Sequence, residues 1–202
     1  MKKTQSKITA LVLAAGRSTR MGQPKMLLPW GETTVLGQVL ATLRAAGLEE
    51  ILVVSGAERE AVEKIAKNFG ARTVHNADFS NGEMLSSLQC GLEGVAPEVA
   101  AMLICLGDQP QARERTVRGV LSRFLEGESA LVVASHRLRR GHPWLAARPL
   151  WDEVLSLRAP ASPRDFLNAH AQEIEYFDAQ SETIFADVDT PDEYRNAKPA
   201  EE

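Results

Sequence analysis

The stretch LVLAAGRSTRMGQPKMLLP, residues 11–29, changes character partway along. Leu11 to Ala15 are apolar or small, as a strand buried on both faces requires. From Gly16 onward three cations, Arg17, Arg20 and Lys25, fall within nine positions, with Gly16 and Gly22 between and beside them. In an open parallel sheet such a loop lies at the carboxyl edge, where ligands bind. Glycine lets a backbone approach a ligand, and the N–H groups of such a turn form a nest for an anion. Arg offers a planar fork and Lys a mobile point charge, both suited to phosphate. The residues alone equally allow solvated cations on an ordinary turn. The loop has neither G-x-G-x-x-G nor G-x-x-x-x-G-K-[ST], which counts against a dinucleotide oxidoreductase and a P-loop ATPase.

Strand-like runs alternate with helical patterns outward from this point. Strands are expected at 8–15, 50–56, 72–76, 101–108 and 130–136, and helices at 34–47, 59–70, 82–95 and 114–127. Gly47 and Gly70 close two of the helices. Beyond residue 136 the pattern loosens: 142–148 and 173–178 are expected as strands of an antiparallel part, and 163–171 and 191–197 as helices. Alternation of this kind predicts an α/β protein with a mostly parallel sheet covered on both faces. No linker or repeat interrupts it, so residues 1–202 are read as one domain.

The totals exclude several classes. Lys+Arg 23 against Asp+Glu 27 gives a net charge of −4, so a nucleic-acid partner is not expected and any anion site must be local. No apolar run reaches the length of a transmembrane helix. Lys2, Lys3 and Lys7 ahead of ITALVLAA imitate a secretory signal, but Arg17 and Arg20 follow at once and the segment is read as a strand. Cys90 and Cys105 are too few for a disulfide framework and are read as small buried residues of a cytoplasmic protein.

Two acidic segments are candidates for a divalent cation. Asp108, in LICLGDQP (103–110), follows a buried strand at the same sheet edge as the first loop. Its carboxylate suits Mg²⁺, a hard ion that prefers oxygen, or merely a turn before Pro110. Asp187 and Asp189, in FADVDTPDEY (185–194), would point to one side of a strand. Alternatively, Asp189 or Thr190 caps the helix beginning at Pro191.

The segment LVLAAGRSTRMGQPKMLLPWGETTVL resembles the signature L-A-A-G-x-S-x-R-M-G-x-x-K-x-L-L of the molybdopterin nucleotidyltransferases, nearest in form to the molybdenum cofactor cytidylyltransferase branch. The resemblance implies a Rossmann-like three-layer α/β/α fold of the nucleotide-diphospho-sugar transferase type. It implies that Leu13, Ala14, Ala15, Gly16 and Arg17 wrap a triphosphate and that Arg20 and Lys25 hold phosphates. Ala15, in LAAG rather than LAGG, points to CTP. GDQP matches the family's metal-binding segment, so Asp108 is implied as a ligand, joined by Asp189 or Asp187 from D-x-D-T-P. NADFSNGEMLSSLQCGL (76–92) resembles the segment around base and ribose, with Asn81, Gly82, Ser86 and Ser87 at the matching positions. RRGHP resembles the acceptor side, placing Arg140, Gly141, His142 and Pro143 against a pterin.

The implied activity is transfer of CMP from CTP to the phosphate of molybdopterin, releasing pyrophosphate, with Mg²⁺ (or Mn²⁺) as cofactor and a molybdoenzyme as downstream recipient. One departure weakens the acceptor side. The cytidylyltransferases often carry G-D-x-G-A-R, whereas LRAPASPRDFLNAHA (157–171) keeps only Arg164 and Asp165, in reversed order. Two other readings therefore stay open: transfer to another small phosphate such as a sugar phosphate, and a nucleotide-binding regulator without turnover.

Overall fold

The structure, a computed structural model, describes residues 6–81 and 83–200. β1 (Ile8–Ala14) is an interior strand, third from one edge of a seven-stranded sheet. Parallel to it lie β4 (Glu50–Ser55) on one side and β6 (Ala101–Leu106) on the other, and β5 (Arg72–His75) extends the β4 edge in parallel. Beyond β6 come β8 (Arg139–Ala147), then β7 (Leu131–His136) and β9 (Glu175–Asp178), giving the order β5-β4-β1-β6-β8-β7-β9. β8 is antiparallel to both of its neighbours, while β9 is parallel to β7. The sheet is thus mostly parallel with one reversed strand. That strand begins three residues before the expected 142, because a tight hairpin follows β7 directly.

Helices cover both faces, and the alternation along β1 shows why. Ala10, Val12 and Ala14 face α1 (Val35–Ala45), α2 (Arg59–Asn68) and α4 (Glu114–Glu126), through Leu36, Leu40, Val62, Val117 and Phe124. Leu11, Leu13 and Ala15 face α3 (Glu83–Glu93), α5 (Trp151–Ser156) and α6 (Pro163–Ala169), through Leu88, Trp151, Val154 and Phe166. With both faces buried, a strand must be apolar at every position, as residues 9–14 nearly are. α1 and α2 stop where Gly47 and Gly70 take φ of +93° and +64°. The next amides, of Leu48 and Ala71, then close back onto the carbonyls of Leu43 and Ala66. α5 was not anticipated. Its six residues make too short a period to stand out from the surrounding sequence. Among the described residues no helix is long and apolar enough to cross a membrane.

A third, smaller cluster positions the site. Met21 from the first loop, Leu28, Trp30 from the hairpin β2 (Pro29–Trp30) and β3 (Thr33–Thr34), and Val35 at the start of α1 pack with Val188. Tyr194 of α7 (Pro191–Ala197) packs onto this cluster and donates to the Pro29 carbonyl at 2.5 Å. The cluster draws the C-terminal acidic segment onto the first loop.

Candidate active site

The first loop leaves β1 at the carboxyl edge and organises itself. Ser18, at φ +51°, accepts from the amides of Met21 and Gly22 at 3.1 Å, and its hydroxyl accepts from the Lys25 amide at 3.1 Å. Leu13, Ala14 and Ala15 are buried, so their side chains serve packing. Their carbonyls are partly committed as well: Leu13 accepts from Gly107 N–H at 2.9 Å, and Ala15 accepts from Ala57 N–H at 3.3 Å. Gly16 differs, since a Cβ there would meet nothing within 4 Å. It faces open space beside the loop. Arg17 is exposed.

Lys25 is the centre of the site. Its side chain, only 9% exposed, points inward, where the ammonium donates to Asp108 and, at 2.6 Å, to Asp189. Arg20 reaches the other oxygen of Asp189 at 2.7 Å while remaining largely exposed. Burial alone would depress the Lys25 pKa. The Asp108 charge, with hydrogen bonds to Asp108 and Asp189, outweighs this and leaves it above the ordinary lysine value. The two acidic segments are also clipped through the backbone, Val188 N–H donating to the Asp108 carbonyl at 2.9 Å.

Asp187 and Asp189 do not share a strand face, because residues 186–189 form no strand. Asp189 turns to Lys25, whereas Asp187 accepts from Gln109 at 2.6 Å. Burial pushes the Asp187 carboxyl above the usual range, and the Asp108 and Asp189 charges add to this against the Gln109 hydrogen bond. Thr190 caps α7 in a capping box with Glu193, whose carboxylate also accepts from the Asp189 amide at 3.0 Å. The cap therefore fixes the backbone at Asp189. Ser18 and Gln109 lie inside the quoted motifs, but what they hold, the turn at residues 21–25 and the Asp187 carboxylate, shows only in the fold. Glu193 stands three residues after Thr190, the spacing of a capping box.

Among the described residues no group of three or more His, Cys, Asp and Glu gathers as a metal site. The donors that do converge are one oxygen each from Asp108 and Asp189, already sharing a single cation, the Lys25 ammonium. Two hard carboxylate oxygens suit a divalent ion that keeps waters and phosphate oxygens in its remaining positions. The residues present fit Mg²⁺ or Mn²⁺ in that limited sense.

On the base side, Gly82 lies outside the described residues. Asn81 is exposed and its amide donates to the Asp78 carbonyl at 3.0 Å. Ser86 and Ser87 sit early in α3, and both accept from the buried amide of Asn76, at 2.9 and 3.1 Å. Asn76 also accepts from the Asp78 amide at 3.0 Å, so one residue joins the end of β5, the loop and α3. In the sequence Asn76, standing after a strand, looks like any turn residue.

A cavity of about 850 Å³ opens between the start of β8, α6 and the start of α3. Arg140, Gly141 and His142 line it; Pro143 does not, lining a much smaller crevice beneath Val39 and Leu106. Arg140 is braced by Tyr176 Oη at 2.9 Å, the Leu167 carbonyl at 3.1 Å and Asn168 Oδ1 at 2.9 Å. Arg139 stacks on the Phe185 ring, 4.2 Å from its centroid. Burial holds the His142 pKa down at about 4, so its ring is neutral near pH 7. Among the described residues the exposed large apolar side chains are Met84, Leu138 and Tyr176, and all three line this cavity with exposed Arg164.

A cationic glycine loop thus faces a carboxylate pair at the carboxyl edge of a mostly parallel sheet. The chain belongs to the MobA-like NTP transferase domain family, which it matches over residues 10–174. It is 33% identical over 190 residues to nicotine blue oxidoreductase of Paenarthrobacter nicotinovorans, covering 91% of this chain and 92% of that one. It is 29% identical over 196 residues to the molybdenum cofactor cytidylyltransferase of Escherichia coli K12, covering 96% of each. Among solved structures it resembles Rv0371c of Mycobacterium tuberculosis H37Rv, with TM-score 0.82, 30% identity and coverage of 95% and 97%. That protein is also known in complex with manganese, which this chain matches with TM-score 0.80, 30% identity and the same coverage.

Proposed function

We propose that this protein transfers CMP from CTP to the phosphate of molybdopterin or the molybdenum cofactor, releasing pyrophosphate. The observation that carries the reading is the Lys25 ammonium held between Asp108 and Asp189, with Arg20 beside it, at the mouth of the loop opened by Gly16. Arg20 and Lys25 bind the β- and γ-phosphates. An oxygen of the acceptor phosphate attacks the α-phosphorus, and the bond from that phosphorus to the bridging oxygen breaks as pyrophosphate departs. The attacking oxygen is already anionic, so no protein base is required. Asp108 and Asp189 (or Asp187) hold Mg²⁺, or Mn²⁺, which when bound neutralises charge accumulating on the phosphate oxygens. The chain's own contribution is positioning and fixed charge.

Leu13 to Arg17, Asn81, Ser86 and Ser87 are assigned to the nucleotide side, as is Gly82, which lies outside the described residues. Ala15 favours CTP. The cavity bounded by Arg140, Gly141 and His142 takes the acceptor. Its exposed Met84, Leu138 and Tyr176 suit a flat, partly apolar ring system, and Arg164 suits an anionic substituent. The E. coli relative's name supports the pterin. The reading places the protein in the cytoplasm, delivering its product to a molybdoenzyme.

The test is a matrix of nucleoside triphosphates against acceptors, read as pyrophosphate release. CTP with the pterin and Mg²⁺ is expected to give the signal, and Lys25→Met and Asp108→Asn are expected to lower it by about 100-fold or more. Release with a sugar phosphate instead would move the acceptor assignment. Nucleotide binding without release would favour a regulator. Oxidation of a reduced nicotinamide with no pyrophosphate would favour the activity for which the Paenarthrobacter relative is named.

A further inference from the structure

The Lys25 pairing has a consequence for how the site loads, and this inference rests on the transferase reading above. Asp108 and Asp189 come from segments far apart in the chain, and their side chains are only 16% and 19% exposed. Two carboxylates brought together in so covered a place require a cation. Among the described residues Lys25 supplies it from inside the protein, and Arg20 adds a second contact from the exposed side. A divalent ion on the same two oxygens would sit against the ammonium, and repulsion between cations at such separations is strong away from bulk water. The ammonium must then leave. Its backbone is anchored by the hydrogen bond from Lys25 N–H to Ser18 Oγ at 3.1 Å, so only the flexible stem can swing. Gly16 lies on the same loop, and a Cβ there would meet nothing within 4 Å.

We propose that Lys25 is the resident counter-cation of the Asp108–Asp189 pair, exchanged for a divalent ion when the phosphates of a nucleotide offer the ammonium another anionic partner. Metal without nucleotide then binds poorly, since it expels Lys25 with nowhere to go. Nucleotide without metal binds poorly, since Lys25 is already engaged. Together each aids the other by the same factor, as linkage requires. The exchange also guards against a charged site standing empty, because one cation or the other always faces the two carboxylates.

The experiment measures binding of Mn²⁺ alone by loss of the free-ion electron paramagnetic resonance signal. Lys25→Met is expected to bind one Mn²⁺ at least about tenfold more tightly than the wild type. Equal or weaker binding by a folded Lys25→Met protein would overturn the proposal. A second measurement uses only the wild type: acylation of Lys25, mapped by peptide mass. It is expected to rise about fivefold or more when Mn²⁺ alone saturates the protein, and to fall again when CTP is added. Unchanged acylation on saturation with Mn²⁺ would overturn the proposal even if the variant fails to fold. Neither readout needs turnover. A wild type that shows the exchange but transfers no CMP rejects the transfer reading alone. One that transfers CMP without the exchange rejects this inference alone.

Discussion

Asn76→Ala should unfold the protein more easily than almost any other single polar truncation. The side chain is 4% exposed, and its amide donates to Ser86 and Ser87 while its oxygen accepts from the Asp78 amide. Three hydrogen bonds at about 1 kcal/mol each set the base of the loss. Ser87 is itself 5% exposed, so water cannot readily replace the lost donor. The sum is about 2–4 kcal/mol, or a melting temperature lowered by about 5–15 °C in a chain of this size. Urea unfolding followed by circular dichroism measures it. Asn76→Asp keeps the acceptor for Asp78 N–H and can accept from both serine hydroxyls, so it should lose about half as much. If the segment seats the base as proposed, Asn76→Ala should also raise KM for the nucleotide more than it lowers kcat. An alanine variant within about 0.5 kcal/mol of wild type, the range of an ordinary surface change, would refute the reasoning.

Two histidines should shape the pH dependence of stability with opposite signs. Burial lowers His142 from 6.5 to about 4, so between those values the unfolded chain binds the extra proton; its contribution is present above pH 6.5 and lost as pH falls towards 4. His170 is raised above 6.5 by its hydrogen bond to Glu153, with burial opposing and Glu173 adding, so its contribution is full below 6.5 and lost as pH rises through the folded value. Urea midpoints against pH should therefore fall on both sides; His142→Gln should flatten the acid limb and His170→Gln the alkaline one. An alkaline slope that survives His170→Gln would rule out the Glu153–His170–Glu173 brace as its source. Gly119→Ala, normally stabilising inside a helix by nearly 1 kcal/mol, should instead destabilise by about 1–3 kcal/mol. Its Cβ would come within 2.6 Å of Phe177 ring carbons, and calorimetry showing a gain in melting temperature would contradict that packing.

The sheet and its helices were legible because burial on two faces forces continuous apolar runs and amphipathic helices, and both are local patterns. The reversed strand was legible only as an antiparallel possibility. Its place between β6 and β7 depends on a hairpin whose turn residues, Arg137 and Leu138, both take positive φ despite being neither Gly nor Asn. Such residues do not announce a turn. At the site, Arg20 and Lys25 were recognisable from a long signature and Asp108 from the short GDQP segment, whereas the separation of Asp187 from Asp189 was not. Their spacing fitted a strand, but Gln109 draws one carboxylate inward and the Thr190–Glu193 cap sets the backbone at the other. The cap at Thr190 is one of the two arrangements the sequence allows; the Gln109 contact joins segments 78 residues apart and leaves no local trace.

The glycines at the carboxyl edge make the same point about what a sequence hides. β1, β4 and β6 are each followed by one within two residues: Gly16, Gly56 and Gly107. Read in the chain they are alike. In the fold, a Cβ at Gly56 would lie 2.7 Å from the Ala15 Cα, and one at Gly107 would lie 3.1 Å from both the Leu13 carbonyl oxygen and Met26 Sδ. Those two are small so that neighbouring strand ends can close together. A Cβ at Gly16 would meet nothing within 4 Å. The smallness of Gly16 is not required by packing inside the chain. The closed pair also explains how the open one is held: with β4 and β6 drawn tight against the end of β1, the loop can emerge only over the carboxyl edge. There Asp108, two residues beyond β6, and Asp189, carried in by Val188, wait on the far side of Lys25.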